Sequence, residues 1–212
     1  MRVGAPGKSK DPFSVALDAM RDRLRGGRLV LGQPLTITDL AQELGLSATP
    51  VREALSRLAG ERQIEDRRGR GYFAPRFEVS DLVELYGLRR LYIAEALGSM
   101  ASRVSDGQST DPGPVIGPEP ADTIAHILDW VVASAGNRAL FDAYRQVAER
   151  LAPAVRVEAQ SLPLTHEANA LIAGLVDGPA LGLALAELHE RRQARVTDLA
   201  RAMRASANIA SL

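Results

Sequence analysis

The stretch LAQELGLSATPVREALSRL, residues 40–58, decides the fold of the N-terminal part of this chain. Its apolar residues recur at helical spacing before and after Gly45, which predicts two short amphipathic helices joined by a tight turn. Gly45 stands where a helix end often needs positive φ. Pro50 falls in the first turn of the second helix, where a missing N–H costs nothing. Taken alone, the pair fits a helix-turn-helix or an ordinary helical hairpin.

Both predicted helices have capping residues, and the second has a polar outer face. Thr36 or Thr38 caps the first helix, and Ser47 or Thr49 caps the second. The buried stripe of the second helix consists of Val51, Ala54, Leu55 and Leu58. The opposite side presents Ala48 or Thr49, then Arg52 and Ser56. An outward arginine on such a helix suits the major groove of DNA.

A short hairpin with a basic tip is predicted directly after these helices. Residues 63–65 and 72–74 are the strand candidates, and residues 66–71, DRRGRG, form the turn between them. Arginines on a glycine-rich tip reach phosphates or the minor groove. The position of the hairpin favours a DNA-binding wing over a solvated basic turn.

Residues 13–77 resemble the winged helix-turn-helix of GntR-type bacterial transcription regulators. The resemblance rests on the spacing of Leu17, Leu24, Gly27, Gly32 and Leu35, on LA..LGLS at 40–47 and above all on TPVREAL at 49–55. It implies that Arg52 contacts bases while Thr49 and the wing hold the DNA backbone. The family usually carries a basic or polar side chain at Ala48, so one contact is missing. The predicted DNA-binding residues are Thr36, Ser47, Thr49, Arg52, Ser56, Arg57, Arg67, Arg68, Arg70 and Gly71.

Charge is divided along a chain that is neutral overall, with 26 Lys and Arg against 26 Asp and Glu. Residues 1–78 hold 14 basic and 10 acidic side chains, and residues 79–212 hold 12 and 16. A basic front half fits contact with nucleic acid. The absence of cysteine fits a reducing cytoplasm, and no apolar run suits a membrane span or a signal peptide.

The rest of the chain predicts helices only, so we expect a mainly α protein. The N-terminal winged helix-turn-helix covers residues 13–78 after a disordered tail, 1–12. An all-α bundle for effector binding and dimerisation covers residues 79–212. Within it, residues 106–120 are rich in Pro and Gly and predict a flexible linker. The expected helices are 81–103, capped by Ser80, then 121–135, 138–158, 164–176 and 180–205.

This second part resembles the helical effector domain of the FadR subgroup, called the FCD domain. The matching residues are Asp81-Leu82, Leu85-Tyr86, Leu88-Arg89, Ala135-Gly136-Asn137, His166-Glu167, Asp177 and His189. Many members bind a divalent metal through an Asp, a His four residues later and two His from later helices. His166 and His189 stand at the last two positions. Ile124 and Leu128 stand at the first two.

The resemblance implies a metal site and an effector site in the second domain. Asp122 and His126 keep the required spacing, shifted by two residues, so the candidate metal set is Asp122, His126, His166 and His189. Such ligands suit Zn, Ni, Fe or Mn. The shift favours a metal-free domain with vestigial histidines. Arg89 and Asn137 are the expected effector-binding residues, Arg89 holding a carboxylate as a fork or pairing with a neighbouring Asp or Glu.

Together these patterns predict a dimeric transcription regulator that binds a palindromic operator in double-stranded DNA. Control by a small carboxylate is expected; alternatively, the second domain only dimerises. A second class is a metal-dependent enzyme using His126, His166 and His189. That reading leaves the wing unexplained, and the sequence holds no HExxH helix or phosphate-binding glycine loop. We therefore predict a cytoplasmic, non-enzymatic protein, a repressor or an activator.

Overall fold

The chain folds into two units that divide between Arg76 and Phe77. The structure is a computed structural model that describes residues 11–26, 29–105 and 113–209. Most of the predicted tail therefore lies outside the described residues, but Pro12 already opens the first helix. Phe77 is buried, which explains why the second unit begins two residues before the predicted position.

The described part of the N-terminal unit contains three helices and a small antiparallel sheet. Its helices are α1 (Pro12–Arg25), α2 (Ile37–Leu44) and α3 (Ala48–Gly60). Its strands are β1 (Pro34–Leu35), β2 (Glu65–Arg67) and β3 (Gly71–Phe73), with β3 in the middle. The predicted first wing strand, residues 63–65, was placed two residues early, because Gln63 and Ile64 are buried before the strand begins. The sequence analysis missed β1, since two residues are too short to show alternation.

Local sequence explains how this unit is built. Asp11 caps α1 by accepting a hydrogen bond from the Ser14 N–H. Gly45 ends α2 with φ of 65°, and the Leu46 N–H donates to the Ala41 carbonyl at 2.9 Å. Thr36 and Ser47 hold the N-cap positions of α2 and α3 but make no side-chain capping bond. The buried core includes Ala16, Met20, Val51, Ala54, Leu55 and Leu58.

The regular elements of the C-terminal unit are all helices in its described residues, which confirms the predicted fold class. Its helices are α4 (Val79–Ser105), α5 (Pro120–Ser134), α6 (Arg138–Ser161), α7 (Thr165–Gly174) and α8 (Gly178–Ile209). Of the predicted linker, residues 113–119 are non-helical, Pro120 begins α5, and residues 106–112 lie outside the described part. Ser80 is inside α4 rather than capping it. Instead, Asp81 accepts the Glu78 N–H at 2.9 Å.

In the bundle, α4 packs against α5, α6 and α8. The apolar core includes Ile93, Ile127, Val131, Leu171, Leu181 and Leu185. A close crossing joins α7 to α8, because a Cβ at Gly174 would lie 2.7 Å from the Leu181 Cα. Only glycine fits there without displacing the backbone.

Candidate functional site

The outer face of α3 displays the predicted DNA-contacting side chains. Thr49, Arg52, Ser56 and Arg57 are exposed, whereas the apolar stripe of the same helix is fully buried. Arg52 forms no ion pair with any described residue, so its five N–H donors face solvent. Thr36 and Ser47 are also exposed, at the starts of α2 and α3. The helix thus presents one free guanidinium, flanked by hydroxyl groups, on a rigid support.

Arg57 differs from Arg52 because its charge is already engaged. Its Nε lies 2.5 Å from Glu61 Oε1, and Glu61 also binds Arg21 at 2.8 Å. This pairing offsets the attraction of Arg57 for phosphate. Arg52 is therefore the stronger candidate on α3.

The wing divides its three arginines between two roles. Arg67 binds Glu65 at 2.6 Å, and its guanidinium carbon lies 4.1 Å from the centre of the Phe73 ring. These contacts hold Arg67 against the sheet. Arg68 and Arg70 are exposed at the tip, where Gly69 and Gly71 adopt φ of 74° and 90°. Arg68 and Arg70 are therefore exposed at the wing tip, and Arg67 braces the hairpin.

The four candidate metal ligands are not brought together. Asp122, His126 and His166 are exposed, whereas His189 is buried in the core of the C-terminal unit. The inward positions of α5 are taken by Ile124 and Leu128, both buried. A shift of two residues moves a side chain to the other side of a helix. The displaced pair on α5 therefore faces outward, contrary to the geometry that a shared site requires.

His126 and His189 each contact a backbone carbonyl of the protein. His126 Nδ1 lies 3.1 Å from the Val115 carbonyl, and His189 Nδ1 donates to the Leu185 carbonyl at 2.7 Å. Burial, and then the positive charge of Arg89, lower the pKa of His189 to about 4. No group of three or more His, Cys, Asp or Glu side chains in the described ranges is placed to hold a metal. The residues present do not fit the family's metal, and we assign it no role.

Arg89 points into the C-terminal unit, as the resemblance implied. Its side chain is buried, its guanidinium carbon lies 4.9 Å from the centre of the Tyr86 ring, and its Nε has no hydrogen-bond partner. No described carboxylate forms an ion pair with it, which argues against the alternative of a neighbouring Asp or Glu. Buried N–H groups without partners cost free energy. Arg89 is thus suited to receive an anion.

Asn137 lies elsewhere and has a structural contact. It is exposed and caps α6, because its side-chain oxygen accepts the Leu140 N–H at 3.0 Å. We therefore assign Asn137 to the helix cap and not to the effector site.

A buried ionic network, which the sequence analysis missed, joins four helices. The Tyr86 hydroxyl donates to Glu158 at 2.5 Å, and Arg192 binds both Glu158, at 3.2 Å, and Glu167. The nearby carboxylates raise the pKa of Arg192 although burial opposes this, and burial raises the pKa of Tyr86. The sequence of α8 does indicate this network. In that helix Arg192 interrupts an apolar stripe, which consists of Leu185, Leu188, Val196, Leu199 and Met203. A charge inside such a stripe predicts a buried partner.

These features define a DNA-binding protein of the winged helix-turn-helix class with a helical second unit. Residues 14–73 match the family model described as bacterial regulatory proteins, gntR family. The N-terminal unit is thus similar to the regulatory proteins of the gntR family. Within its described residues, no helix is both long and apolar enough to cross a membrane.

Known proteins resemble the chain well beyond the matched N-terminal segment. It is 27% identical over 155 residues to the Nta operon transcriptional regulator of Aminobacter aminovorans, covering 68% of this chain and 74% of the relative. The fold is similar to that of E. coli McbR/YncC, with a TM-score of 0.65, 18% identity and coverage of 90% and 99% of the two chains. A putative GntR regulator from Rhodococcus sp. RHA1 gives a TM-score of 0.62, 22% identity and coverage of 88% and 97%.

Proposed function

We propose that this protein is a GntR-type transcription regulator that binds a short palindromic operator as a homodimer and responds to a small carboxylate. The observation that carries the DNA part is the free, exposed Arg52 on α3, next to a wing with Arg68 and Arg70 at its tip. In a dimer, two such helices reach half-sites about one helical turn apart. Arg52 reads a guanine through O6 and N7, and the wing contacts phosphates or the minor groove.

Exposed apolar side chains on α4 support a dimer of the C-terminal units. Leu91 is 60% exposed and Val83 is 43% exposed, although the other side of α4 is covered by three helices. Large apolar side chains grouped on one helix face are typical of a contact surface. This unit is of the FCD type in our proposal, and it acts without catalysis, as the cytoplasmic control element of the protein.

Arg89 supports the effector part of the proposal. A buried guanidinium that lacks a carboxylate partner recognises an anion through charge-assisted hydrogen bonds. Occupation of that site moves α4, which begins three residues after Arg76, the last residue of the N-terminal unit. Effector binding thereby changes operator affinity through a coupling free energy of roughly 1–3 kcal/mol. The direction of the change, release or recruitment, defines a repressor or an activator.

Arg52→Ala is expected to abolish sequence preference. A site is first selected from random duplexes with the wild-type chain. The variant should bind it about 5- to 150-fold more weakly, the equivalent of roughly 1–3 kcal/mol for one bidentate base contact. Binding to a scrambled duplex should change little. Titration by fluorescence anisotropy measures both affinities.

Arg138→Ala is the matched control for this experiment. It removes the same side chain from an exposed position in the C-terminal unit, where Arg138 lies 3.8 Å from Asp142. It should bind the selected site like the wild type. If Arg52→Ala binds the selected site as tightly as the wild type, Arg52 does not recognise a base.

Arg89→Met is expected to remove the response to small aliphatic carboxylates. A ligand present at about 100 times its Kd stabilises the native state by roughly 2.7 kcal/mol, which raises the melting temperature. Trp130, the only tryptophan, lies in α5, so its fluorescence follows the C-terminal unit. Stabilisation of the wild type and of Arg138→Met, but not of Arg89→Met, is the expected result. A carboxylate panel that leaves every variant unchanged would favour the alternative of a purely dimerising unit.

A further inference from the structure

A cleft between the end of α6 and the second half of α8 is separate from the site at Arg89. It has a volume of about 170 Å³ and is open on one side. Leu162, Leu199 and Ala202 form apolar walls, and Glu158 and Arg192 of the buried network lie at its inner end. Pockets that bind small molecules are mostly apolar and have a few placed polar groups.

One of the cations that line this cleft has no ion-pair partner among the described residues. Arg192 binds Glu158 and Glu167, and Arg191 also lies 3.5 Å from Glu167. Asp198 binds Arg201 at 2.9 Å. Arg195 also lines the cleft, and it is exposed and forms no ion pair with any described residue. The cleft therefore combines apolar walls with one free guanidinium. That combination selects a molecule with an apolar body and an anionic end.

The volume limits the size of that body. An apolar cavity of about 150 Å³ holds one benzene molecule. The cleft is slightly larger, and its open side leaves room for a substituent that reaches Arg195. A single six-membered ring with a carboxylate matches both the volume and the charge.

Because the cleft lies on α8, a ligand bound there can affect residues elsewhere in the protein. Two residues beyond Ala202 on the same helix, Arg204 lies 3.6 Å from Glu78. Glu78 directly precedes α4 and follows Arg76, where the N-terminal unit ends, by two residues. A ligand that shifts this part of α8 therefore acts on the segment that joins the two units.

We propose that the cleft between α6 and α8 binds a small aromatic carboxylate, with its ring against Leu162, Leu199 and Ala202 and its carboxylate on Arg195, and that it regulates DNA binding through Arg204 and Glu78. The site is distinct from the effector site proposed at Arg89, and its ligand binding does not depend on operator recognition.

Benzoate is the probe, and Trp130 fluorescence, excited where benzoate does not absorb, records thermal unfolding. Benzoate should stabilise the wild type, Arg138→Met and Arg89→Met in a saturable way. Arg195 is exposed, so Arg195→Met should leave the fold intact. The variant should bind benzoate about tenfold more weakly or worse, because the carboxylate loses the guanidinium that binds it. Ala202→Phe, which fills the cleft, should abolish the shift, provided that circular dichroism shows an intact fold.

Other outcomes overturn the proposal in distinguishable ways. Loss of the shift in Arg89→Met, with retention in Ala202→Phe, would place the ligand in the interior site. A shift that survives in Arg195→Met would exclude the carboxylate contact, and no shift in the wild type would exclude the site. For the coupling, Arg204→Met should keep benzoate binding but lose its effect on operator affinity. If benzoate still changes the operator affinity of Arg204→Met, Arg204 and Glu78 do not transmit the effect of the ligand.

Discussion

Arg192→Met should lower the free energy of unfolding of the C-terminal unit by about 3–5 kcal/mol at neutral pH. Arg192 is buried between Glu158 and Glu167, which come from α6 and α7. Methionine keeps much of the side-chain volume but leaves the buried Glu158 without a cation and Glu167 with Arg191 alone, 3.5 Å away. Removing one partner of a buried ionic network costs far more than the whole network contributes. Urea denaturation followed by Trp130 fluorescence measures the loss.

The triple variant Arg192→Met/Glu158→Gln/Glu167→Gln separates buried charge from packing. It removes both carboxylates with the guanidinium and should recover most of the lost stability. A loss below about 1 kcal/mol in Arg192→Met would show that these charges are well hydrated.

Acidification should destabilise the same unit through His189 by roughly 3 kcal/mol between about pH 7 and pH 4. Burial and the Arg89 charge lower the pKa of His189 to about 4, below its ordinary value of 6.5. Below pH 6.5 the imidazole of His189 binds a proton in the unfolded chain, whereas in the folded protein it stays neutral down to about pH 4. The stabilisation is therefore complete above that pH and is lost as the pH falls through the range between the two pKa values. The positive charges nearby are Arg89 and Arg90 of α4 and Arg192 of α8.

His189→Gln is the comparison for this prediction. Glutamine does not titrate, so the free energy of unfolding of the variant should fall less steeply over the same range. The difference between the two curves isolates His189 from the carboxyl groups that also titrate in acid. Parallel curves for the wild type and His189→Gln would mean that water reaches the folded imidazole.

Local patterns were enough to predict the recognition helix and its free arginine. In α3, helical periodicity assigns Val51 and Leu55 to the core and Arg52 to the outside, and Gly45 marks the turn. The five helices that the structure describes in the second unit were also predicted, because each has its own apolar stripe. Boundaries that depend on neighbours were less accurate: residues 63–65 were placed in a strand that begins at Glu65.

The sequence by itself determined the winged helix-turn-helix, the helical second unit and the outward face of Arg52, because these follow from local periodicity and turn chemistry. Tertiary packing decided how the charged groups are partnered. It brought Arg21 to Glu61, 40 residues away along the chain, and it buried Arg192 between two carboxylates. It also turned His166 outward and His189 inward. Those outcomes depend on which helices meet, and contacts between residues far apart in the chain leave no regular spacing in the sequence.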